Sequence, residues 1–508
     1  MKNHKIVPLD ELAQIVSQCK AEGKKVVHCH GVFDLLHPGH ILHFQAARGL
    51  GDVLVVTITR DAYVDKGPGR PVFKERLRAE SLAALEVIDY VAFNDWPTSV
   101  ETIRKLRPDI YAKGSDYRHP EDDLTGKIKE EEQAILSVGG KAHFTDELTF
   151  SSTSLLNAHF SVYPEAAEKF LRDFRQRYSA EEAIKWFQKL LPLKVLVLGD
   201  TIIDEYHYCV PMSRSPKENL IPAKYISEET FAGGILASAN HVAGFCADVH
   251  LLTCLGIQNN YEKFILQHLR PNIKGKFFYR EDAPTVVKRR FVDPAFLSKM
   301  FEVCFMNSHE LPPAVAKQIE GYLNACISQY DLVVVNDFGH GFMTQEIIDV
   351  VCEKSRFLAV NAQTNSANMG FNLITKYPRA DYVCLDEAEA RLACHDRTGD
   401  LREINTMLAK SSGCSKVAVT QGHKGSLVYD REGGFFEIPV FSLEVKDRVG
   451  AGDAYFSITS PCVAAGFPGD LVGFIGNAVG ALAVRIVGNR TPVEPVPLFK
   501  FIKALLAA

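Results

Sequence analysis

The sequence lacks a secretion signal, a membrane-spanning run, a disulfide framework and a surplus of charge of either sign. Its first twenty residues, MKNHKIVPLDELAQIVSQCK, contain no apolar core followed by a small-residue cleavage site. No later segment approaches the roughly twenty uninterrupted apolar residues that a bilayer requires. A cytoplasmic protein is therefore expected. The 12 cysteines are scattered, with no CxxC pair and no clustered Cys/His spacing, which excludes a zinc framework and leaves them as small buried hydrophobes. A net charge of -5 gives no electrostatic reason to expect nucleic acid or an anionic membrane as partner, so any phosphate site has to be local. Low-complexity tracts and short-period repeats are also missing, which excludes solenoids and disordered arrays.

What is present is enough chain for more than one core. At 508 residues, with 46% hydrophobic and 23% charged residues, two or three globular domains are expected. Two segments begin alike, each with an apolar β-branched run entering a turn. The first is KKVVHCHGVFD (24–34), followed by the helical pattern HILHFQAARGLG and the strand DVLVVTIT (52–59); strand, helix, strand is a βαβ crossover. The second is KVLVLGDTIID (194–204), followed by apolar runs at 331–337, 356–361, 381–386 and 416–422, a pattern that suits a parallel sheet covered on both faces. Between them, residues 161–193 are rich in charge and helix formers and read as a helical linker. The expected architecture is α/β, with one domain over 1–160 and a second over 194–508; the resemblances given below imply that the first is Rossmann-like and that the second carries a small lid.

Two motifs carry chemistry. In GVFDLLHPGH (31–40), Pro38 and Gly39 stand just before an amphipathic helix, which puts His37 and His40 at a helix N-terminus. Unpaired backbone N–H groups and the positive end of the helix dipole favour phosphate there, and imidazole donors add to it. In DRVGAGDAYF (447–456), Gly450 and Gly452 permit close backbone approach, and the amides of Ala451, Gly452 and Asp453 can form an anion hole. The Asp453 carboxylate beside that hole suits removal of a proton from a hydroxyl as a phosphoryl group arrives.

The first motif, GxFDxxHxGH, resembles the cytidylyltransferase-like nucleotidyltransferases, and the resemblance covers about 25–160. It implies a nucleotide site that includes Gly31, Phe33 and Asp34; the two readings of Asp34 are a carboxylate for a hydroxyl or metal and one that only orients the turn. It also implies a basic loop, DKGPGRP, with Lys66 and Arg70 toward the triphosphate; a lysine before a polar turn, YAKGSDY, with Lys113 and more weakly Asp116 and Tyr117; and a helix start, FSSTSLL, with Ser151, Ser152 and Thr153 as phosphate donors. Plainer readings of these are solvated loop charges and an ordinary capped helix. The implied chemistry is attack of a sugar 1-phosphate on a nucleotide α-phosphate, stabilised by His37, His40, Lys113 and magnesium, with no bound structural metal.

Residues 194–508 resemble the ribokinase-like (PfkB) sugar kinases. The resemblance implies Asp453 as catalytic base, Asp204 in GDTIIDEY for sugar hydroxyls, Gly233 and Gly234 on the substrate side, Gly422 and Gly425 of TQGHKGS beside ATP, and Asn477 flanking the adenine pocket. Lys288 and Arg290 in TVVKRRFVDP are candidates for a substrate phosphate, or are solvated strand charges. Where heptose kinases read GGAANVA, this chain reads GGILASANHVA, so the sugar-contacting asparagine is replaced by Ala237 or displaced to Asn240. The segment NAQTNSANMGFN (361–372) differs from the usual DPK-type turn; it either binds ligand or is a loop held by Asn and Ser side chains.

Together the halves resemble the bifunctional enzymes that phosphorylate heptose 7-phosphate and adenylylate heptose 1-phosphate, supplying ADP-heptose for lipopolysaccharide, with the domain order reversed. The expected partners are sugar phosphates and nucleoside triphosphates, ATP with Mg2+ among them, with a homodimer as an option. Alternatives are a different sugar, CTP or GTP at the first site, or a nucleotidyltransferase fused to a sugar-binding pseudokinase.

Overall fold

The computed structural model describes residues 4–64, 66–114, 127–145, 163–307 and 309–507. The chain divides into two compact units, Met1–Val162 with Lys503–Ala508, and Tyr163–Ile502.

In the first unit the runs VVHCHG and VLVVTIT become β1 (Val26–Gly31) and β2 (Val53–Thr59), and every residue of β2 is buried. With β3 (Tyr90–Asn94), β4 (Ile110–Lys113) and β5 (Lys141–Phe144) they make a parallel sheet of order β3-β2-β1-β4-β5. The chain reverses direction across the sheet between β1 and β4. Such a switch point leaves a crevice at the carboxyl ends of the strands, the usual ligand position in open α/β sheets. The GVFDLLHPGH turn leaves β1 there and enters the helix Pro38–Arg48, with His37 as N-cap residue and Pro38 in its first turn; Pro suits that position because its missing N–H would have no helical acceptor.

In the second unit a nine-stranded sheet has the order β10-β9-β6-β13-β14-β15-β16-β17-β18. Its members are β6 (Lys194–Gly199), β9 (Asp248–Gly256), β10 (Ile273–Arg280), β13 (Leu332–Asp337), β14 (Leu358–Ala362), β15 (Tyr382–Asp386), β16 (Lys416–Thr420), β17 (Ser426–Asp430) and β18 (Gly434–Ile438). It is parallel from β10 to β16 and closes with an antiparallel pair of turns through β17 and β18. A smaller sheet, β12-β11-β7-β8, holds β7 (Thr201–Pro211), β8 (Ala223–Gly234), β11 (Val286–Asp293) and β12 (Ser298–Phe305). The apolar run 194–204 is thus split at Asp200 between two sheets. β6 and β13, its neighbour, again mark a switch point.

The segment expected as a helical linker folds as Glu165–Phe174 and Ala180–Lys185, and its apolar face is sealed into the second unit. Phe174 stacks on Phe474 with ring centres 4.5 Å apart, and Phe187 meets Phe467 edge-on. The compact second unit therefore starts near residue 163, about thirty residues before its first strand, because aromatic burial of this size outweighs the solubility of the exposed charged face.

Candidate active sites

In the first unit three histidines gather at the switch point. His37 and His40 stack with ring centres 3.8 Å apart, and His43, one turn further on, hydrogen-bonds the Thr145 hydroxyl at 2.8 Å. Burial, with His37, His43 and Lys66 nearby, pushes the His40 imidazole down to about 3, and burial beside Lys113 takes His43 down to about 4. Burial also lowers His37. These rings are therefore neutral near pH 7, acting as N–H donors rather than cations. The Nδ1 of His40 is buried without a hydrogen-bond partner among the described residues, which leaves it able to serve a ligand.

Lys113, at the end of β4, is ion-paired with Glu131 at 2.8 Å, and both side chains are largely buried. Glu131 also accepts from the Ser99 hydroxyl at 2.6 Å, and that hydroxyl meets the Tyr111 hydroxyl at 2.8 Å. Lys113 is held in place before any ligand arrives, a pairing with a glutamate eighteen residues away that the sequence gave no motif to anticipate. Asp34 is redirected. Its carboxylate accepts the backbone N–H groups of Val72 at 3.0 Å and Phe73 at 2.9 Å and pairs with buried Arg70 at 3.7 Å, so it anchors the basic loop under the histidine turn. Arg78, fully buried, ties the same pieces together by donating to the carbonyls of Val32, Thr59 and Phe73. Gly31 is needed because a Cβ there would come within 2.8 Å of the Phe33 ring, and Phe33 itself takes φ +49°. Lys66 lies close enough to His40 to influence its proton. Ser151, Ser152, Thr153, Asp116 and Tyr117 lie outside the described residues.

In the second unit the helix Ala451–Ala464 begins at Gly450, which has φ +80°. A Cβ on Gly450 would fall 2.3 Å from the Asn489 side-chain oxygen, whereas Gly452 has open space around it. The amides of Gly452 and Asp453, in the first turn of that helix, have no backbone acceptor among the described residues, which suits an anion hole, whereas the Ala451 amide donates to the Arg448 carbonyl at 3.3 Å. Asp453 accepts a short hydrogen bond from the Gln363 amide, and burial pushes its carboxyl up to about 6. The altered turn NAQ thus contributes Gln363 to the base. The asparagines after it are structural: Asn365 and Asn368 donate to the Phe338 carbonyl at 2.8 and 3.0 Å, and Asn372 to that of Asp337 at 3.0 Å. Glu389, buried near Asp453 and Asp386, has its carboxyl pushed up by burial; it accepts from the Thr364 and Asp386 backbone N–H groups at 2.9 Å each. No sequence motif had singled it out.

Asp204 sits under Gly233, where a Cβ would lie 2.0 Å from its carboxylate. It accepts from Asn489 at 3.2 Å and from Arg290. Arg290 also pairs with Glu302 at 2.7 Å, so it is not the solvated charge that the plainer reading expected, and its expected role on a substrate phosphate has to compete with two carboxylates. Lys288, the other candidate, forms no ion pair with a described residue and lies within electrostatic reach of Asp453. Two further corrections concern asparagines. Asn240 donates to the His268 carbonyl at 2.9 Å and accepts from the Arg270 backbone at 3.0 Å, bracing a turn instead of a sugar. Asn477 donates to the Ser426 hydroxyl at 2.8 Å and to the carbonyls of Ile438 and Gly473 at 3.3 and 3.2 Å, so its amide clamps the helix Gly469–Ala483 to the edge strands. Gly234 has φ +55°, and Gly422 and Gly425 have φ +57° and +106°, the last in a place where a Cβ would lie 2.0 Å from the Ile438 carbonyl.

Residues 192–495 match the model of the pfkB family carbohydrate kinases. The chain belongs to that family. Residues 28–157 match the cytidylyltransferase-like model, so the pfkB kinase part is preceded by a nucleotidyltransferase-type part. Among curated proteins, the bifunctional protein HldE of Gluconobacter oxydans is 42% identical over 153 residues, 30% of each chain, and that of Citrifermentans bemidjiense is 50% identical over 115 residues, 22% of this chain and 24% of the relative. The chain thus spans about 30% of the length of the curated relatives it matches, and these matches do not bear out the expected inversion of domain order. Among solved structures, phosphofructokinase-2 of Escherichia coli in complex with potassium has a TM-score of 0.50 at 14% identity, covering 62% of this chain and 99% of that one; this likeness speaks for the fold alone.

Among the described residues no group of three or more His, Cys, Asp or Glu side chains is arranged to hold a metal. Glu389 lies within electrostatic reach of Asp453, and these two carboxylates are the ones that could approach a magnesium ion borne by nucleotide phosphates. Among the described residues no helix is long and apolar enough to cross a membrane.

Proposed function

We propose that the chain is a bifunctional enzyme of nucleotide-sugar synthesis, which phosphorylates a sugar at its anomeric hydroxyl with one unit and transfers a nucleotidyl group to a sugar 1-phosphate with the other. The observation that carries this is the pair of helix starts in two separate compact units, one holding neutral histidines with an unspent buried nitrogen and the other holding Asp453 beside an open backbone cradle. Heptose 7-phosphate is the first candidate sugar and AMP from ATP the first candidate nucleotidyl group, as the resemblance of the two halves to bifunctional heptose-activating enzymes implies; bifunctional HldE proteins are among the relatives matched.

In the kinase unit, Asp204 accepts a hydrogen bond from a sugar hydroxyl and orients the ring. Asp453 takes the proton of the attacking hydroxyl as its oxygen bonds to the γ-phosphorus and the bond to ADP breaks. The Gly452 and Asp453 amides, at the start of the helix, meet the charge that develops on the transferred group. Glu389 would help to hold a magnesium ion carried by the nucleotide, which would supply charge neutralisation. In the other unit, the acceptor phosphate is already an anion and needs no base. Its oxygen bonds to the α-phosphorus while the bond to pyrophosphate breaks, and the His37 and His40 N–H groups with Lys113 stabilise the extra charge. Here too, magnesium carried by the nucleoside triphosphate would neutralise charge.

Mass spectrometry of products formed from heptose 7-phosphate and heptose 1-phosphate with ATP and magnesium tests the proposal. A sugar bisphosphate from the first and a nucleotide sugar from the second are expected, and a screen of the four nucleoside triphosphates with pyrophosphate detection assigns the base. A second reading, a sugar-binding pseudokinase, draws on Asn240 being turned away from the sugar position; ATP turnover no higher than that of Asp453→Asn across hexose and heptose phosphates would favour it.

A further inference from the structure

At the switch point of the nine-stranded sheet, between β6 and β13, lies a partly open cleft of about 350 Å³, mouth included, lined in part by Asp200, Thr201, Arg280, Thr285, Asn307 and His340. The turn that carries His340 is firmly built. Gly339 and Gly341 have φ +68° and +95°, the Asp200 carboxylate accepts the backbone N–H groups of His340 at 3.3 Å and Phe342 at 3.1 Å, and Asn365 and Asn368 hold the preceding carbonyl. Most polar groups in the wall are spent on one another. The Thr201 hydroxyl meets that of Thr253 at 2.8 Å, the Thr285 hydroxyl accepts from Gly256 at 3.0 Å, the Asn307 amide donates to the Asp282 carbonyl at 3.3 Å, and Arg280 pairs with Asp282 at 2.6 Å. The exception is the His340 imidazole. It is 3% exposed, and both ring nitrogens are buried without a hydrogen-bond partner among the described residues.

A buried polar group left unpaired costs free energy, and one in the wall of a cleft calls for a partner that the cleft would receive. Lys288 connects this place to the chemistry, since it lies within electrostatic reach of both His340 and Asp453. We propose that His340 is a specificity-determining residue of the kinase unit, whose imidazole pairs with one uncharged hydroxyl of the sugar remote from the hydroxyl that is phosphorylated. This deepens the kinase reading and rests on it.

The choice of a hydroxyl over an anion follows from the donor set. A neutral imidazole presents one donor and one acceptor, and a hydroxyl presents the same pair in return. A phosphate presents acceptors only and would face the Asp200 carboxylate in the same wall. Burial and the nearby Lys288 ammonium both disfavour the protonated ring, taking it down to about 3, which agrees with the neutral form. A site built this way rejects an analogue that lacks the hydroxyl, because the imidazole then stays unpaired.

The test measures dissociation constants of D-mannose, D-glucose, their monodeoxy analogues, mannose 6-phosphate and inorganic phosphate by ligand-observed NMR, on the full chain, its His340→Ala and its His340→Gln variants. ATP binding serves as a check of folding. One deoxy position is expected to weaken binding to the wild type by about tenfold, as loss of one hydrogen bond does. His340→Ala should erase that difference, and His340→Gln, which keeps a donor and an acceptor, should retain most of it. The proposal is overturned if no panel member distinguishes wild type from His340→Ala, or if the ligands that His340→Ala loses are phosphate and mannose 6-phosphate. Should the deoxy pattern appear without ATP-dependent sugar phosphorylation, the kinase reading falls and the hydroxyl subsite stands.

Discussion

The two candidate sites solve the same problem, an anion at a helix N-terminus, with opposite kinds of side chain. In the first unit the cradle is completed by His37, His40 and Lys113, groups that donate hydrogen bonds, and among the described residues the neighbouring carboxylates, Asp34 and Glu131, are paired with Arg70 and Lys113. In the second unit it is completed by a carboxylate, Asp453, with its pKa raised to about 6 by burial. The difference follows the nucleophile each would accept. A phosphate oxygen arrives already ionised, so donors suffice, whereas a hydroxyl must lose a proton and needs an acceptor beside the hole.

The largest effect that sharpens this contrast is expected from removing the two partners in turn. Asp453→Asn should lower sugar phosphorylation by at least a thousandfold and spare nucleotidyl transfer, while His40→Ala should cost transfer about a hundredfold or more and spare phosphorylation. Both are read by product assays on the same preparations. Silencing of both reactions by either change in a folded protein would break the comparison.

A second effect of several kcal/mol concerns stability. Glu131→Ala strands the Lys113 ammonium in a largely buried place, which typically costs about 3 to 5 kcal/mol; denaturant unfolding should show the loss in the first unit and leave ATP-dependent sugar phosphorylation unchanged.

The pH profiles should then separate the sites by about tenfold per pH unit on one side only. Sugar phosphorylation should decline below about pH 6, as Asp453 takes up a proton and stops accepting one. Nucleotidyl transfer should show no limb from His40 or His43 between pH 5 and 8, because His40 is held near 3 and His43 near 4, so both rings stay neutral across that range.

The smallest expected effect corrects a role. Asn240→Ala should cost about 1 to 2 kcal/mol of stability through the lost turn hydrogen bonds and leave the KM for sugar within about twofold, since its amide is occupied by His268 and Arg270.

The parts of the molecule legible in the sequence were those with local signatures. Apolar β-branched runs marked β1, β2, β6, β13, β14, β15 and β16, and Pro38 and Gly450 marked the two helix starts. The smaller sheet was hardly visible, because β8 and β12 are largely exposed and lack a continuous apolar run. The 163–193 segment misled through its charges, which lie opposite a buried row of Leu171, Phe174 and Phe187. Site residues failed to be legible where the decision is made by partners far along the chain. Asn240 and Asn477 have the side chains a ligand would want, yet backbone groups from other elements claim them first. Arg290 is claimed by Asp204 and Glu302 across neighbouring strands. Glu389 and Glu131 carry no motif of their own, and Gln363 was not distinguished within the singled-out segment 361–372; only folding brings them to Asp453 and Lys113.

The most direct test of two independent cradles is nucleotide stoichiometry. Native mass spectrometry of the full chain, with magnesium and saturating nonhydrolysable analogues of ATP and CTP, should show two nucleotides bound per chain. Saturation at a single nucleotide per chain would contradict the account.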